Sequence, residues 1–319
     1  MISIILFFVG FLLLIKGADF LVEGASSIAK KFKIAPIVIG LTVVSFGTSA
    51  PEFFINIISS YSGNTEIAVG NILGSNIANV LLILGVSALV YPLISRHNTV
   101  WKEIPFSFLA IFILTIMAND RHIDGESFAV ISRIDGIVLI AFFVIFLYYT
   151  FSISKAEGEE FVFFQQPSLS VKKSILYILF GVLGLFVGGK FIVDGAVLIA
   201  KWFDISSSFI GLTVIAVGTS LPELATSVVA SLKKNSDIAI GNVVGSNIFN
   251  IFLIIGVSAI LNPLPILESS NLDLYTAIFS SFMLFAFMFI GKKHTLEKYQ
   301  GGLLVFIYVL YITTIVFIK

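Results

Sequence analysis

The sequence predicts an all-α integral membrane protein of about ten transmembrane helices, arranged as two inverted five-helix repeats. Three observations predict it: the composition, the lengths of the apolar blocks, and a self-similarity at a fixed shift. Of 319 residues, 58% are apolar and only 12% charged, with a mean hydropathy of +1.06. A water-soluble domain of this size carries about 25% charge. The apolar residues also run in long blocks rather than in the 3.6-residue stripes of a half-buried helix, and the 33 Phe suit a surface solvated by lipid tails.

Crossing about 30 Å of hydrocarbon takes roughly 20 apolar residues in a helix. Blocks near 3–25, 35–60, 67–92, 104–118, 134–151, 174–199, 207–232, 238–262, 273–291 and 301–318 meet that length approximately, the fourth being short. The first block lacks a basic leader and a small-residue cleavage site, and is read as a retained span. Polar stretches such as Lys30–Lys33, Ser95–Lys102, Asn119–Arg133 and Ser152–Lys173 separate the blocks. None is long enough for a separate soluble domain. With the N-terminus outside, the inside loops hold 13 of the 19 Lys and Arg and the outside positions hold 4. By the positive-inside bias both termini are expected to be extracellular, in a multi-pass protein of the cell membrane. Net charge is zero and cysteine is absent. Nothing therefore points to a nucleic-acid partner, thiol chemistry or a disulfide framework, and no cofactor or obligate protein partner is expected.

Shifting the chain by 171 residues aligns it with itself without a gap from about Gly17 to Leu93, with about 29 identities in 55 positions over 39–93. The block Ile39-Gly-Leu-Thr-Val-Val-Ser-Phe-Gly-Thr-Ser-Ala-Pro-Glu52 recurs as Ile210-Gly-Leu-Thr-Val-Ile-Ala-Val-Gly-Thr-Ser-Leu-Pro-Glu223. Likewise Gly70-Asn-Ile-Leu-Gly-Ser-Asn-Ile-Ala-Asn79 recurs as Gly241-Asn-Val-Val-Gly-Ser-Asn-Ile-Phe-Asn250. Chance likeness between apolar helices matches Leu with Ile; it does not match Pro, Glu, Asn and Gly in register. Five spans separate the copies, and five is odd, so the second copy enters the membrane upside down. The expected organisation is a first repeat over 1–151, a short cytoplasmic linker over 152–173 and a second repeat over 174–319, with the repeated cores at about 39–93 and 210–264. Inverted repeats of this kind mark secondary transporters whose site lies at the repeat interface near the midplane, reached by alternating access. Gene duplication in a structural membrane protein is the plainer explanation, and it leaves the chemistry of the repeated blocks unaccounted for.

That chemistry centres on Glu52 and Glu223, which fall inside predicted spans. A charged side chain at the bilayer centre costs about 2.5–3.5 kcal/mol on insertion scales, and neither block contains a Lys or Arg to pair with it. A bound cation or a proton remains as compensation. Pro51 and Pro222 lack an N–H, so the carbonyls of Gly47 and Gly218 lose their helical partners. Freed carbonyls at a half-helix end suit a cation. Thr48 and Glu52 share a helix face, as do Ser75 and Asn79, Thr219 and Glu223, and Ser246 and Asn250. Carboxylates, hydroxyls, carbonyls and amides are hard oxygen donors. They can meet the six to eight oxygens that Ca²⁺ takes, or be divided among several Na⁺. With no Cys, His or Met in either block, soft-metal binding is disfavoured.

At these residues the chain resembles the sodium/calcium exchanger family of the cation/calcium antiporter superfamily, in its compact prokaryotic form. The double Gly-Thr-Ser-x-Pro-Glu with double Gly-Ser-Asn-Ile carries the resemblance along nearly the whole chain. It implies exchange of Ca²⁺ for Na⁺, with both ions as transported substrates and no enzymatic reaction. By motif position it makes Glu52 and Glu223 the shared central ligands. It assigns carbonyls and hydroxyls to Thr48 and Thr219 and backbone carbonyls to Ser45 and Ala216. Ser49, Ser220, Ser75 and Ser246 would complete peripheral sodium sites, and Asn79 and Asn250 would fill the remaining central positions. Some members carry Asp where Asn250 stands. Here only two carboxylates face the site, which weakens the case for potassium co-transport. A proton/calcium antiporter using the same glutamates is the alternative. Asp19, Glu23 and Asp194 are read as structural, with Lys16 a partner for Asp19. His97, His122 and His294 are read as solvated loop residues.

Overall fold

The structure, a computed structural model, describes residues 2–63, 65–123, 125, 129–154, 169–202 and 216–318. Besides a single turn at Asp120–Ile123, its helices, numbered here in chain order, are α1 (Ile2–Phe32), α2 (Pro36–Thr48), α3 (Ala50–Tyr61), α4 (65–90), α5 (Thr99–Met117), α6 (Arg133–Ser154), α7 (Val171–Trp202), α8 (Ala216–Thr219), α9 (Leu221–Leu232), α10 (Ser236–Leu261), α11 (Asn271–Phe287) and α12 (Lys298–Ile318). Among the described residues six helices are long and apolar enough to cross a membrane, and the bent α2–α3 pair makes a seventh. The shorter apolar helices α9 and α11, with α1, bring the total to the ten segments expected. At 1.5 Å per residue, the 31 residues of α1 reach about 46 Å, ample for a span despite Lys16, Asp19 and Glu23 within it.

Several helix ends differ from those expected. α1 runs on to Phe32 and carries Lys30 and Lys31 in its last turn, where cations complement the partial negative charge of the helix C-terminus. α5 begins at Thr99 rather than 104, through a wide π-type turn over Thr99–Glu103. The expected span at 207–232 lies partly outside the described residues, as does most of the 152–173 linker. Two short antiparallel ribbons, which hydropathy does not reveal, also appear. β1 (Leu93–Ile94) pairs with β4 (Thr295–Leu296), and β2 (Ala129–Ile131) with β3 (Leu264–Ile266). β1 and β4 follow the third and ninth spans, β2 and β3 the fourth and eighth. Each ribbon thus joins loops of like parity, as a ten-span threading requires.

Helices α4 and α10 form the centre of the molecule, with 78% and 83% of their apolar windows buried, against 28% for α6 and α7. The outer helices turn residues such as Phe112, Leu179, Phe186 and Phe306 outward, where lipid replaces water as solvent. Burial in lipid gives little hydrophobic drive between helices, so close backbone packing holds them together. α1 and α7 lie against each other along their lengths, meeting at glycine. A Cβ on Gly10 would fall 2.9 Å from the Gly188 carbonyl oxygen, and one on Gly17 2.8 Å from that of Gly181. Gly181 and Gly188 are Gly10 and Gly17 displaced by 171, so the contact maps onto itself when the halves exchange. Gly40 against Gly241, Gly85 against Gly301 and Gly256 against Gly136 are similarly close, so these glycines too serve helix packing.

Candidate functional site

The two Gly-Thr-Ser-x-Pro-Glu blocks break their helices at the same residue. Ser49 has φ −82° and ψ 6°, and Ser220 has φ −88° and ψ 5°. Pro51 and Pro222 then occupy the first turn of α3 and α9, where a missing N–H costs nothing. The axis bends by 50° between α2 and α3. Glu52 and Glu223 therefore stand in the first turn of a new helix rather than in the middle of a continuous one. Each is 1% exposed.

Around these breaks the halves interlock by hydrogen bonds that obey the 171-residue shift. Thr48 Oγ1 donates to Asn242 Oδ1 at 3.0 Å, and its counterpart Thr219 Oγ1 to Asn71 Oδ1 at 3.4 Å. Asn79 Nδ2 donates to Asn247 Oδ1 at 2.9 Å, and Asn250 Nδ2 to Asn76 Oδ1 at 2.9 Å. Wide π-type turns begin at Asn79 and at Phe249, just before Asn250; such turns recur at functional sites. Ser49 Oγ donates to Glu223 Oε1 at 2.9 Å, while Ser75 Oγ donates to Glu52 Oε1 at 3.3 Å and lies 3.1 Å from Ser220 Oγ. Ser49 thus ties Glu223 directly to the first half, and Ser75 ties Glu52 to Ser220 of the second.

Five oxygens of this cluster are buried without a hydrogen-bond partner: Glu52 Oε2, Glu223 Oε2, Asn79 Oδ1, Asn250 Oδ1 and Ser246 Oγ. A buried unsatisfied oxygen costs about 1–3 kcal/mol, and more when charged. Among the described residues no Lys or Arg pairs with either glutamate; ion pairs elsewhere include those of Arg96 with Asp237, Lys190 with Asp194 and Lys233 with Asp19. A nest of unpartnered oxygens with two carboxylates and no cation of its own is chemically suited to a hard cation.

The residues singled out in the sequence stand as follows. Glu52, Glu223, Thr48, Ser49, Ser75, Ser220, Ser246, Asn79 and Asn250 are all buried, and all but Ser246 are joined by the bonds above. Thr219 sits half-buried beside them. Ser45 Oγ turns back onto the Leu41 carbonyl at 2.8 Å, and the Ser45 carbonyl accepts from the Ser49 N–H at 2.9 Å and from Thr48 Oγ1 at 3.2 Å. Of Ala216 only the backbone, at the start of α8, is described. Sequence reasoning passed over Asn71, Asn76, Asn242 and Asn247, although the repeat carried the signal: each is a polar residue duplicated inside an apolar span.

Outside the site, Asp19 pairs with Lys233 rather than with Lys16, tying α1 to the end of α9. Lys16 is three residues away on its own helix, but tertiary packing brings Lys233 closer. His97 is exposed as expected. His294 is half-buried, its ring centre 5.6 Å from that of His97. Its burial, with Lys293 and His97 nearby, lowers its pKa below the ordinary imidazole value.

A family model described as sodium/calcium exchanger protein matches residues 2–152 and 173–317. The sodium/calcium exchanger MaX1 of Methanosarcina acetivorans is 30% identical, covering 99% of this chain and 99% of its own. The inner membrane protein YrbG of Escherichia coli is 38% identical over 81% of this chain and 79% of its own. A solved structure of the sodium-calcium exchanger NCX_Mj, soaked with Na⁺ and Ca²⁺, superposes with a TM-score of 0.84 at 33% identity, covering 98% of both chains.

Proposed function

The chain belongs to the sodium/calcium exchanger protein family, and from that premise we propose that it exchanges Na⁺ for Ca²⁺ by alternating access, with Glu52 and Glu223 as the shared ligands. Members of this family are ion exchangers and not enzymes. The observation that carries the reading is the pair of buried carboxylates, without a Lys or Arg partner among the described residues and set among unpartnered oxygens. In this reading Thr48 and Thr219 add hydroxyls and carbonyls, Ser45 and Ala216 add backbone carbonyls, and Asn79 and Asn250 add amide oxygens. Ser49, Ser75, Ser220 and Ser246 serve the Na⁺ positions.

Charge then explains why exchange is obligatory. Two carboxylates are neutralised by one Ca²⁺ or by two Na⁺. A loaded site is close to neutral and can be closed off from water on both sides. An empty site would carry two bare charges into low dielectric, where each costs several kcal/mol. The protein therefore changes its open side with ions bound and stalls without them, which couples the two fluxes.

We place the first repeat at 1–151, the linker at 152–173 on the cytoplasmic side and the second repeat at 174–319. The exchange of partners under the 171-residue shift supports this division, as do the ribbons joining loops of like parity. Both termini are placed outside. Epitope tags at either end should then be labelled by antibody on intact cells; labelling only after permeabilisation would reverse the orientation.

The direct test is ⁴⁵Ca²⁺ uptake into proteoliposomes loaded with Na⁺ and diluted into buffer free of Na⁺ and K⁺. Uptake is expected to require internal Na⁺ and to ignore both K⁺ and an imposed pH gradient. Uptake driven by the pH gradient alone would make the protein a proton/calcium antiporter. No Ca²⁺ movement under any gradient would remove Ca²⁺ as its substrate.

A further inference from the structure

An amide side chain has a donor end and an acceptor end of nearly the same shape, so its rotation decides whether it attracts or repels a cation. Asn250 and Asn79 face this choice, because each is 1% exposed and each keeps an unpartnered Oδ1. For Asn250 the choice is made by a chain of bonds that ends on the main chain. Asn76 Nδ2 donates to the backbone carbonyl of Asn247 at 3.5 Å, an acceptor that cannot turn round. This holds Asn76 Oδ1 toward Asn250, whose NH₂ it accepts at 2.9 Å. Asn250 Oδ1 is thereby left pointing away from Asn76. Turning the Asn250 amide would oppose two oxygens at that distance and bring an NH₂ group to where the oxygen now lies. In the other half Asn247 Oδ1 accepts the Asn79 NH₂ at 2.9 Å, the same relation displaced by 171 residues. Asn76 and Asn247 are themselves 3% exposed.

We propose that Asn76 and Asn247 are positioning residues that lock the amides of Asn250 and Asn79 with their oxygens toward the transported ion. The inference rests on the reading of this cluster as the ion site and extends it to two residues that need not touch the ion. Each half thereby sets the ligand geometry of the other. The arrangement also shows what an amide at 250 requires and a carboxylate there would not: a carboxylate offers oxygen on both edges and needs no locking.

That difference supplies the test. KM for Ca²⁺ and kcat are measured in proteoliposomes for the wild type, Asn76→Ala, Asn250→Asp and the double variant. Asn76→Ala frees the Asn250 amide to turn and is expected to raise the Ca²⁺ KM roughly tenfold, with kcat within about twofold of wild type. In the Asn250→Asp background the same substitution should leave KM unchanged or lower it, since it then removes an oxygen that opposes the new carboxylate and no amide remains to be locked. An equal rise in both backgrounds would make Asn76 a packing residue and overturn the proposal, as would a wild-type KM in Asn76→Ala. Where Asn250→Asp stops turnover, equilibrium ⁴⁵Ca²⁺ binding to the purified protein gives the same four-way comparison as Kd values. Where Asn76→Ala fails to fold, Asn247→Ala with Asn79→Asp repeats the cycle in the other half. Glu52→Gln run alongside separates the two levels of the argument. Wild-type transport there and in Glu223→Gln overturns the ion site, whereas a dead Glu52→Gln beside an unaltered Asn76→Ala overturns only the positioning role.

Discussion

Glu52→Gln and Glu223→Gln should each abolish Na⁺-dependent Ca²⁺ uptake while leaving a monodisperse protein. Glutamine keeps the side chain's length and one carbonyl oxygen but removes the charge. Deleting one partner of a buried charge pair costs about 3–5 kcal/mol, which is two to nearly four orders of magnitude in affinity. Each glutamate is 1% exposed, and its second carboxylate oxygen has no protein partner. In the ion-free protein the substitution thus relieves strain instead of adding it. The paired expectation is that Ca²⁺ raises the unfolding temperature of the wild type, by mass action on the folded state, and leaves that of either variant unmoved. Wild-type uptake in both variants would sink the assignment of the site.

A substitution of a single methyl group should have the second-largest effect, and its neighbour in sequence is the control. Gly188 faces α1, and a Cβ there would lie 2.7 Å from both the Gly10 carbonyl oxygen and the Leu14 nitrogen. Neither backbone can move without parting α1 from α7. Gly189, the next residue, has nothing within 4 Å of its Cβ position. Replacing glycine by alanine within a helix gains up to about 1 kcal/mol of propensity at either position. At Gly188 overpacking of about 1–3 kcal/mol outweighs that gain; at Gly189 nothing opposes it. Gly188→Ala should therefore lower the unfolding temperature by several degrees and slow exchange, while Gly189→Ala should match or exceed the wild type in both. Equal effects at the two positions would show that the close glycine contact between α1 and α7 is not what holds them together.

The site was legible to the extent that it broke the rules of its surroundings. Glutamate and proline inside apolar spans, duplicated in register, cannot be explained by lipid exposure or helix packing. They marked the candidate site without any knowledge of contacts. Asn71, Asn76, Asn242 and Asn247 broke the same rule in the same blocks, yet helix-face spacing alone drew attention to Ser75 with Asn79 and Ser246 with Asn250. Their partners lie across the molecule, and spacing along one helix does not report on another. The pairing of Asp19 illustrates the same limit, since the nearest basic residue in sequence, Lys16, was not the one that packing delivered.

The sequence by itself determined that this chain is a membrane protein, that two of its blocks recur at a fixed shift, and which polar residues are duplicated inside its apolar spans. Those properties depend on composition, on the length of apolar runs and on identities at a fixed shift, all of which are local or self-referential. Only the tertiary structure decided where the helices end, that loops join in two short ribbons, and that α1 and α7 meet at glycine. It alone showed which way the buried amides face. Each of these rests on contacts between residues that are often more than a hundred positions apart, where the energy of an interaction depends on geometry that neither segment contains alone.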